Sequence, residues 1–194
     1  MTNKINFNEF RDEAYQCAVA HGWHNENKSS RHWLCLVISE LMEAVEADRK
    51  DNHAERKYYE KRISDSLVCR GLHPSMPKEK GLAIAFRDFL KDTVEDELAD
   101  ACIRLFDFAG VVNADLNDID YENSSTADYS ELTFTESMFE IVQVINNYWE
   151  PLDIGFILNE IFAFCKGRKI DIIWHIKQKM QYNELRPYKH GKLY

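Results

Sequence analysis

The chain has 194 residues, 45% of them hydrophobic, which suffices for one well-buried domain and is short for two. Its formal net charge of −9 at pH 7 argues against a nucleic-acid coat or a protein that binds anionic membranes. No apolar run marks the N-terminal region or reaches the length of a membrane span. Because the five cysteines are widely spaced and form no Cys-x-x-Cys pair, we expect a reducing, cytoplasmic setting.

The predicted elements are all helical. In chain order, helices are expected over about 7–20, 30–50, 55–67, 93–112, 133–150, 153–165 and 170–185. The intervening segments 71–81 and 113–130 are rich in Gly, Pro or polar residues and are predicted to be loops. No segment shows a convincing alternation of apolar and polar residues, so the predicted fold class is all-α, a bundle of packed helices.

Two acidic doublets stand out on apolar helices. Glu40 and Glu43 lie three residues apart on the second helix, and Glu97 and Asp100 lie three apart on the helix that begins near Thr93. Residues at this spacing share one helix face, so packed helices can direct all four carboxylates into one space. An ionised carboxylate in apolar surroundings needs a partner, and a hard cation is one such partner.

The second doublet belongs to a polar stripe on a helix that is otherwise apolar nearly all round. The stripe consists of Glu97, Asp100, Arg104 and Asp107. A helix with this composition is usually buried, so its stripe should face partners and not open water. Two alternatives stay open: acidic residues at this spacing are common on solvated helix faces, and Arg104 can pair with Asp100 or Asp107 in a structural network.

The type of metal follows from the donor atoms. Di-iron carboxylate bundles use a Glu-x-x-His motif, and none of the seven histidines has a glutamate three residues before it. Oxygen ligands alone suit Mg²⁺ or Mn²⁺, which also accompany phosphate substrates.

The C-terminal segment reverses the charge of the chain. From Lys179 to Tyr194 it carries four basic residues and one acidic residue. Lys179, Asn183 and Arg186 share one helix face and offer two cations and an amide to an anionic ligand. The alternative is a disordered basic tail, although the interleaved tyrosines favour a functional segment.

These motifs together resemble a known pattern. Glu40-x-x-Glu43 followed by Glu97-x-x-Asp100 is similar to the metal signature of the all-α NTP pyrophosphatase superfamily, which includes MazG-like proteins and dimeric dUTPases. The tail Lys179…Asn183-x-x-Arg186…His190-Gly-Lys192-x-Tyr194 is similar to the substrate-closing motif of that group. The resemblance implies one MazG-like helical domain over 1–194, with an inserted helix and loop over 51–92 and a substrate-closing tail over 179–194.

The resemblance also implies an activity: Mg²⁺-dependent hydrolysis of an NTP or dNTP to the monophosphate and pyrophosphate, as in house-cleaning of non-standard nucleotides. The implied metal ligands are Glu40, Glu43, Glu97 and Asp100, with Glu43 as the proton acceptor. The implied substrate-binding residues are Lys179, Asn183, Arg186 and Lys192.

On the second helix, His32 lies near the direction of Glu43 and Trp33 near that of Glu40, so both are candidates for base or sugar contacts. For Trp33, a place in the core is at least as well supported.

Two other functions remain open at this point. One is a helical nucleotide-binding or regulatory module without catalysis, and the other is an interaction protein whose acidic stripes form structural ion pairs. The resemblance further implies a homodimer or homotetramer, with a nucleotide as the partner and neither nucleic acid nor membrane.

Overall fold

The computed structural model describes residues 5–72, 78–121, 129–147 and 153–191, and this part of the chain is all helical. It comprises α1 (Phe7–Ala20), α2 (Ser30–Asp48), α3 (Arg56–Leu72), α4 (Lys78–Phe89), α5 (Val94–Val112), α6 (Phe134–Asn147), α7 (Ile154–Gly167), α8 (Ile172–Glu184) and a short 3-10 helix (Tyr188–Gly191). The predicted fold class is confirmed. No helix among the described residues is long and apolar enough to span a membrane.

Local capping explains why α5 and α6 begin where the sequence predicts. Thr93 precedes α5, and its hydroxyl accepts a hydrogen bond from the backbone N–H of Asp96. Thr133 and Glu136 form a reciprocal capping box at the start of α6, with each side chain accepting from the backbone N–H of the other. These bonds satisfy N–H groups that a helix start otherwise leaves without partners.

The region between the acidic motifs differs from the prediction. It contains two helices, because α3 extends to Leu72 and α4 begins at Lys78, within the segment predicted to be a loop. The prolines at 74 and 77 suggested a loop, but a helix can start directly after such a signal. The buried residues Ala85, Phe86 and Leu90 then hold α4 against the rest of the protein. The sequence-based division into one helix and a loop was therefore wrong.

Helix α5 lies at the centre of the bundle and packs against α1, α2 and α8. Its apolar residues are buried on almost every side, including Leu98, Cys102 and Leu105. A smaller apolar cluster joins α3 and α4 to α8, where the rings of Phe86 and Tyr182 stack at 4.3 Å. The polar stripe of α5 therefore faces neighbouring helices, as predicted.

Candidate functional site

A cleft of about 200 Å³ lies among α1, α2, α5, α8 and the segment that follows α8. Seven of the predicted site residues line it: Glu40, Glu43, Glu97, Asp100, Lys179, Asn183 and Arg186. The acidic doublets and the basic segment, which are far apart in the sequence, thus share one site.

Three of the four predicted metal-binding carboxylates lie close together, and the fourth does not. One oxygen from each of Glu40, Glu97 and Asp100 lies within 4.8 Å of the others, a spacing compatible with ligands of one metal ion. Glu43 lines the cleft but is exposed and is not part of this three-residue group. The structure therefore separates Glu43 from the group with which the sequence placed it.

Glu97 is the least compensated member of the group. Glu97 is only 5% exposed, and among the described residues no donor forms a hydrogen bond with its carboxylate. Burial raises the pKa of Glu97 to about 8, and the neighbouring carboxylates of Asp96 and Asp100 add to the shift. A bound cation would relieve both effects, so this donor set fits a hard divalent metal.

The stripe residue Arg104 pairs across the helix interface. Its Nε donates to Glu40 at 3.1 Å, and not to either of the stripe carboxylates expected from the sequence. Asp107 instead accepts from His24, with 2.7 Å between Oδ1 and Nε2. The antiparallel contact of α2 with α5 decides these partners, since it places Glu40 opposite Arg104.

Lys179 lies inside the site and is only 4% exposed. Its Nζ is 2.8 Å from a carboxylate oxygen of Asp96 and 2.8 Å from one of Asp100. Although burial alone would lower it, these two carboxylates hold the pKa of Lys179 above its ordinary value. In this structure the predicted phosphate ligand is therefore a counter-ion of the acidic cluster.

Asn183 and Arg186 form the polar edge of the cleft on the α8 side. The Oδ1 atom of Asn183 is buried and has no hydrogen-bond partner among the described groups. The Arg186 guanidinium lies 5.9 Å from the centre of the Tyr182 ring and forms no ion pair with any described carboxylate. The Arg186 guanidinium is thus available to an anionic ligand and the Asn183 Oδ1 atom to a hydrogen-bond donor, whereas Lys192 lies outside the described residues.

The structure does not place His32 or Trp33 in the cleft. Trp33 is buried in the core, where it stacks on His24 at 5.0 Å and on Phe108 at 6.5 Å. His32 contacts the edge of the Trp33 ring. Because α2 runs antiparallel to α5, Trp33 meets an apolar turn of α5 beyond the polar stripe. This corrects the assignment of both residues to substrate contacts.

Sequence reasoning missed the apolar side chains that line the cleft. They are Ala14, Cys17, Ala18, Trp23, Ile103 and Met180. The small residues at positions 14, 17 and 18 share one face of α1, and a helix face of small residues can lie close to a ligand. The lining of the cleft therefore combines charged and apolar side chains.

No protein-family model matches the chain, and neither the curated proteins nor the solved structures contain a significant match. The geometry of the cleft is consequently the basis for any functional assignment.

Proposed function

We propose that this protein is a Mg²⁺-dependent nucleoside triphosphate pyrophosphohydrolase. The observation that carries the proposal is the meeting of three clustered carboxylates with Asn183 and Arg186 in one cleft. Acidic groups that can hold a divalent cation, facing a cation and an amide, suit a metal-bound polyphosphate. Apolar side chains in the same lining, such as Ile103 and Met180, suit the apolar faces of a nucleobase.

The charge balance of the site supports a cation. Four carboxylates meet around Glu97, those of Glu40, Asp96, Asp100 and Glu97 itself. Among the described residues, the cations that pair with them are Lys179 and Arg104. Buried charges that lack compensation are unfavourable by several kcal/mol each, on the order of the effective desolvation penalty. A divalent ion would reduce this imbalance.

The residues divide the work of the proposed reaction. Glu40, Glu97 and Asp100 would hold Mg²⁺, which when bound neutralises phosphate charge and lowers the pKa of a bound water. Arg186 binds phosphate oxygens and orients the chain of phosphates, and the Asn183 Oδ1 atom accepts a hydrogen bond from a sugar hydroxyl. Glu43, exposed in the cleft and outside the metal cluster, accepts the proton of the attacking water.

The reaction conserves atoms and charge in a simple way. The water oxygen forms a bond to the α-phosphorus, and the bond between that phosphorus and the α–β bridging oxygen breaks. The nucleoside monophosphate keeps the water oxygen, and pyrophosphate leaves with the bridging oxygen. The proton taken by Glu43 returns to solvent.

The test is turnover of a panel of NTPs and dNTPs with Mg²⁺, measured as pyrophosphate released. We expect at least one triphosphate to be hydrolysed and Glu97→Gln to reduce the rate by at least about 100-fold, the range typical when an essential polar group is lost. Glu140→Gln, on the exposed face of α6 outside the cleft, is the matched control and should retain full activity. Absence of turnover with every triphosphate, or full activity of Glu97→Gln, would contradict the proposal.

A second candidate function is favoured by the ion pairs themselves. Lys179 and Arg104 already compensate Asp96, Asp100 and Glu40, as a purely structural network would. In that case calorimetric titration with Mg²⁺ would show no binding to the wild-type protein.

A nucleotide-binding module without catalysis would instead bind Mg²⁺ and nucleotide, gain thermal stability and release no pyrophosphate.

A further inference from the structure

The segment that follows α8 docks on the turn that follows α1. The backbone N–H of Lys189 donates to the carbonyl of His21 at 3.0 Å. The His21 side chain completes a second link, with 2.9 Å between its Nε2 and the carbonyl oxygen of Arg186. One histidine therefore holds this segment through both its backbone and its ring.

Tyr188 fits directly over Gly22. A Cβ atom at Gly22 would lie 2.3 Å from the Tyr188 ring, so the ring would have to leave this position to admit any side chain there. The Asn25 side chain donates to the Tyr188 hydroxyl at 2.7 Å and fixes the other end of the ring. Tyr188 remains 60% exposed, so this specific fit, more than burial, determines its position.

Gly22 also has a local role at the end of α1. Its φ of +77° and the bonds from Gly22 N–H to Val19 and from Trp23 N–H to Ala18 form a Schellman motif. That motif alone favours a glycine, so the absence of a Cβ at position 22 serves both the end of α1 and the contact with Tyr188. An experiment must therefore separate the helix end from the contact with Tyr188.

The turn that follows α1 and the segment docked on it both line the cleft. His21 and Trp23 line it from the α1 turn, and Arg186 lines it from the docked segment, two residues before Tyr188. A hydrogen bond to the Arg186 carbonyl restricts the backbone from which its guanidinium extends. The position of the available cation in the cleft thus depends on the contact between His21, Gly22 and Tyr188.

We propose that His21, Gly22 and Tyr188 are positioning residues, which hold Arg186 where it binds the polyphosphate of the substrate. This inference rests on the proposed function. Loosening the segment should weaken polyphosphate binding and leave Mg²⁺ binding unchanged, because the carboxylates lie on α2 and α5. If the contact were merely structural, loosening it would lower the stability of the protein without weakening polyphosphate binding selectively.

The experiment is a double-mutant cycle with Gly22→Ala, Tyr188→Ala and the two combined, together with Arg186→Ala. Calorimetry measures the affinity for inorganic tripolyphosphate with Mg²⁺ and, separately, for Mg²⁺ alone. We expect each of the four proteins to bind tripolyphosphate about tenfold more weakly than wild type, and the double variant to be no weaker than Tyr188→Ala. Affinity for Mg²⁺ should stay within twofold.

Two further measurements complete the design. Hydrogen exchange at the Lys189 amide should accelerate in Gly22→Ala and Tyr188→Ala, because a loosened segment opens the hydrogen bond from this amide to the His21 carbonyl more often. Gly167→Ala is the matched glycine control, since a Cβ there meets nothing within 4 Å, and it should match wild type in every assay. Tyr188→Ala alters an exposed side chain, so it tests the inference even if Gly22→Ala does not fold.

The outcomes distinguish the two proposals. If Arg186→Ala weakens tripolyphosphate binding and Tyr188→Ala does not, the positioning role is overturned and the proposed function stands. If the wild-type protein binds neither Mg²⁺ nor tripolyphosphate, the proposed function is overturned and the positioning role with it.

Discussion

Lys179 shows how one buried side chain can change the meaning of a motif. In the sequence it is a basic residue of a tail suited to phosphate, whereas in the fold its ammonium lies between Asp96 and Asp100. Removing one partner of a buried ion pair leaves charges without compensation, and this is costly even where the intact pair adds little stability. The residue therefore links the stability of the bundle to the charge of the proposed metal site.

Lys179→Met is expected to lower the free energy of unfolding by about 3–5 kcal/mol, as for broken buried pairs generally. The exposed neighbour Lys177→Met is the control and should change it by less than about 1 kcal/mol. Urea unfolding monitored by circular dichroism measures both. Mg²⁺ should raise the melting temperature of Lys179→Met more than that of wild type, because the ion replaces the lost positive charge. Equal stability of the two variants would show that the pair is not structurally important.

At the scale of the element, the start of α5 sets the geometry of the acidic cluster. The Thr93 hydroxyl donates to the carbonyl of Leu90 at 2.6 Å and accepts from the N–H of Asp96. The Asp96 carboxylate in turn accepts from the N–H of Asp92 at 3.0 Å. Capping and side-chain placement are therefore combined in the turn that presents Asp96 to Lys179.

Thr93→Ala is expected to destabilise the protein by about 1–2 kcal/mol, because it removes an N-cap and leaves a buried carbonyl without its donor. Thr135→Ala, on the exposed surface of α6, should cost no more than about 0.5 kcal/mol. Chemical denaturation with an unchanged m-value would attribute the difference to the folded state. A loss below 0.5 kcal/mol in Thr93→Ala would contradict the capping role.

At the scale of the whole molecule, α8 connects the main bundle to α3 and α4. Gln178 accepts a hydrogen bond from the Tyr59 hydroxyl of α3 at 2.9 Å, and Tyr182 stacks on Phe86 of α4. The same helix carries Lys179 and Asn183 into the cleft. Helices α3 and α4 thus support the helix that bears the basic half of the site, so their packing and the site are expected to be lost together on unfolding.

The buried histidine of α8 predicts how the stability of the molecule depends on pH. Burial lowers the pKa of His175 to about 4; Glu95 and Asp171 oppose this shift, and Arg56 reinforces it. The unfolded chain, with a histidine pKa of about 6.5, binds a proton between pH 6.5 and 4 that the folded protein does not bind. The free energy of unfolding should therefore fall as pH falls through this window, by at most about 1.4 kcal/mol per pH unit from this group.

Measuring urea unfolding at pH 4.5, 5.5, 6.5 and 7.5 tests the prediction. His175→Gln should show a shallower slope below pH 6.5 than wild type. Identical slopes in wild type and His175→Gln would mean that this histidine does not carry the dependence.

The sequence by itself determined the helical class, the limits of most helices and seven of the polar residues that line the cleft. Apolar periodicity and capping residues such as Thr93 and Thr133 act within a few residues, so their effects can be read locally. The acidic doublets share faces for the same reason. Helix α4 was missed because its local signals conflict, and its apolar face becomes informative only once Tyr182 and Tyr59 are known to cover it.

Only the tertiary structure decided which charges meet. The pairing of Arg104 with Glu40 joins residues 64 positions apart, and that of Lys179 with Asp96 joins residues 83 apart. Trp23 lines the cleft and the predicted Trp33 does not, for the same reason: the packing of α2 against α5 places the Trp33 indole in the core. Such contacts depend on how whole helices pack, and packing is set by shape and burial summed over the entire chain, not by the residues near each site.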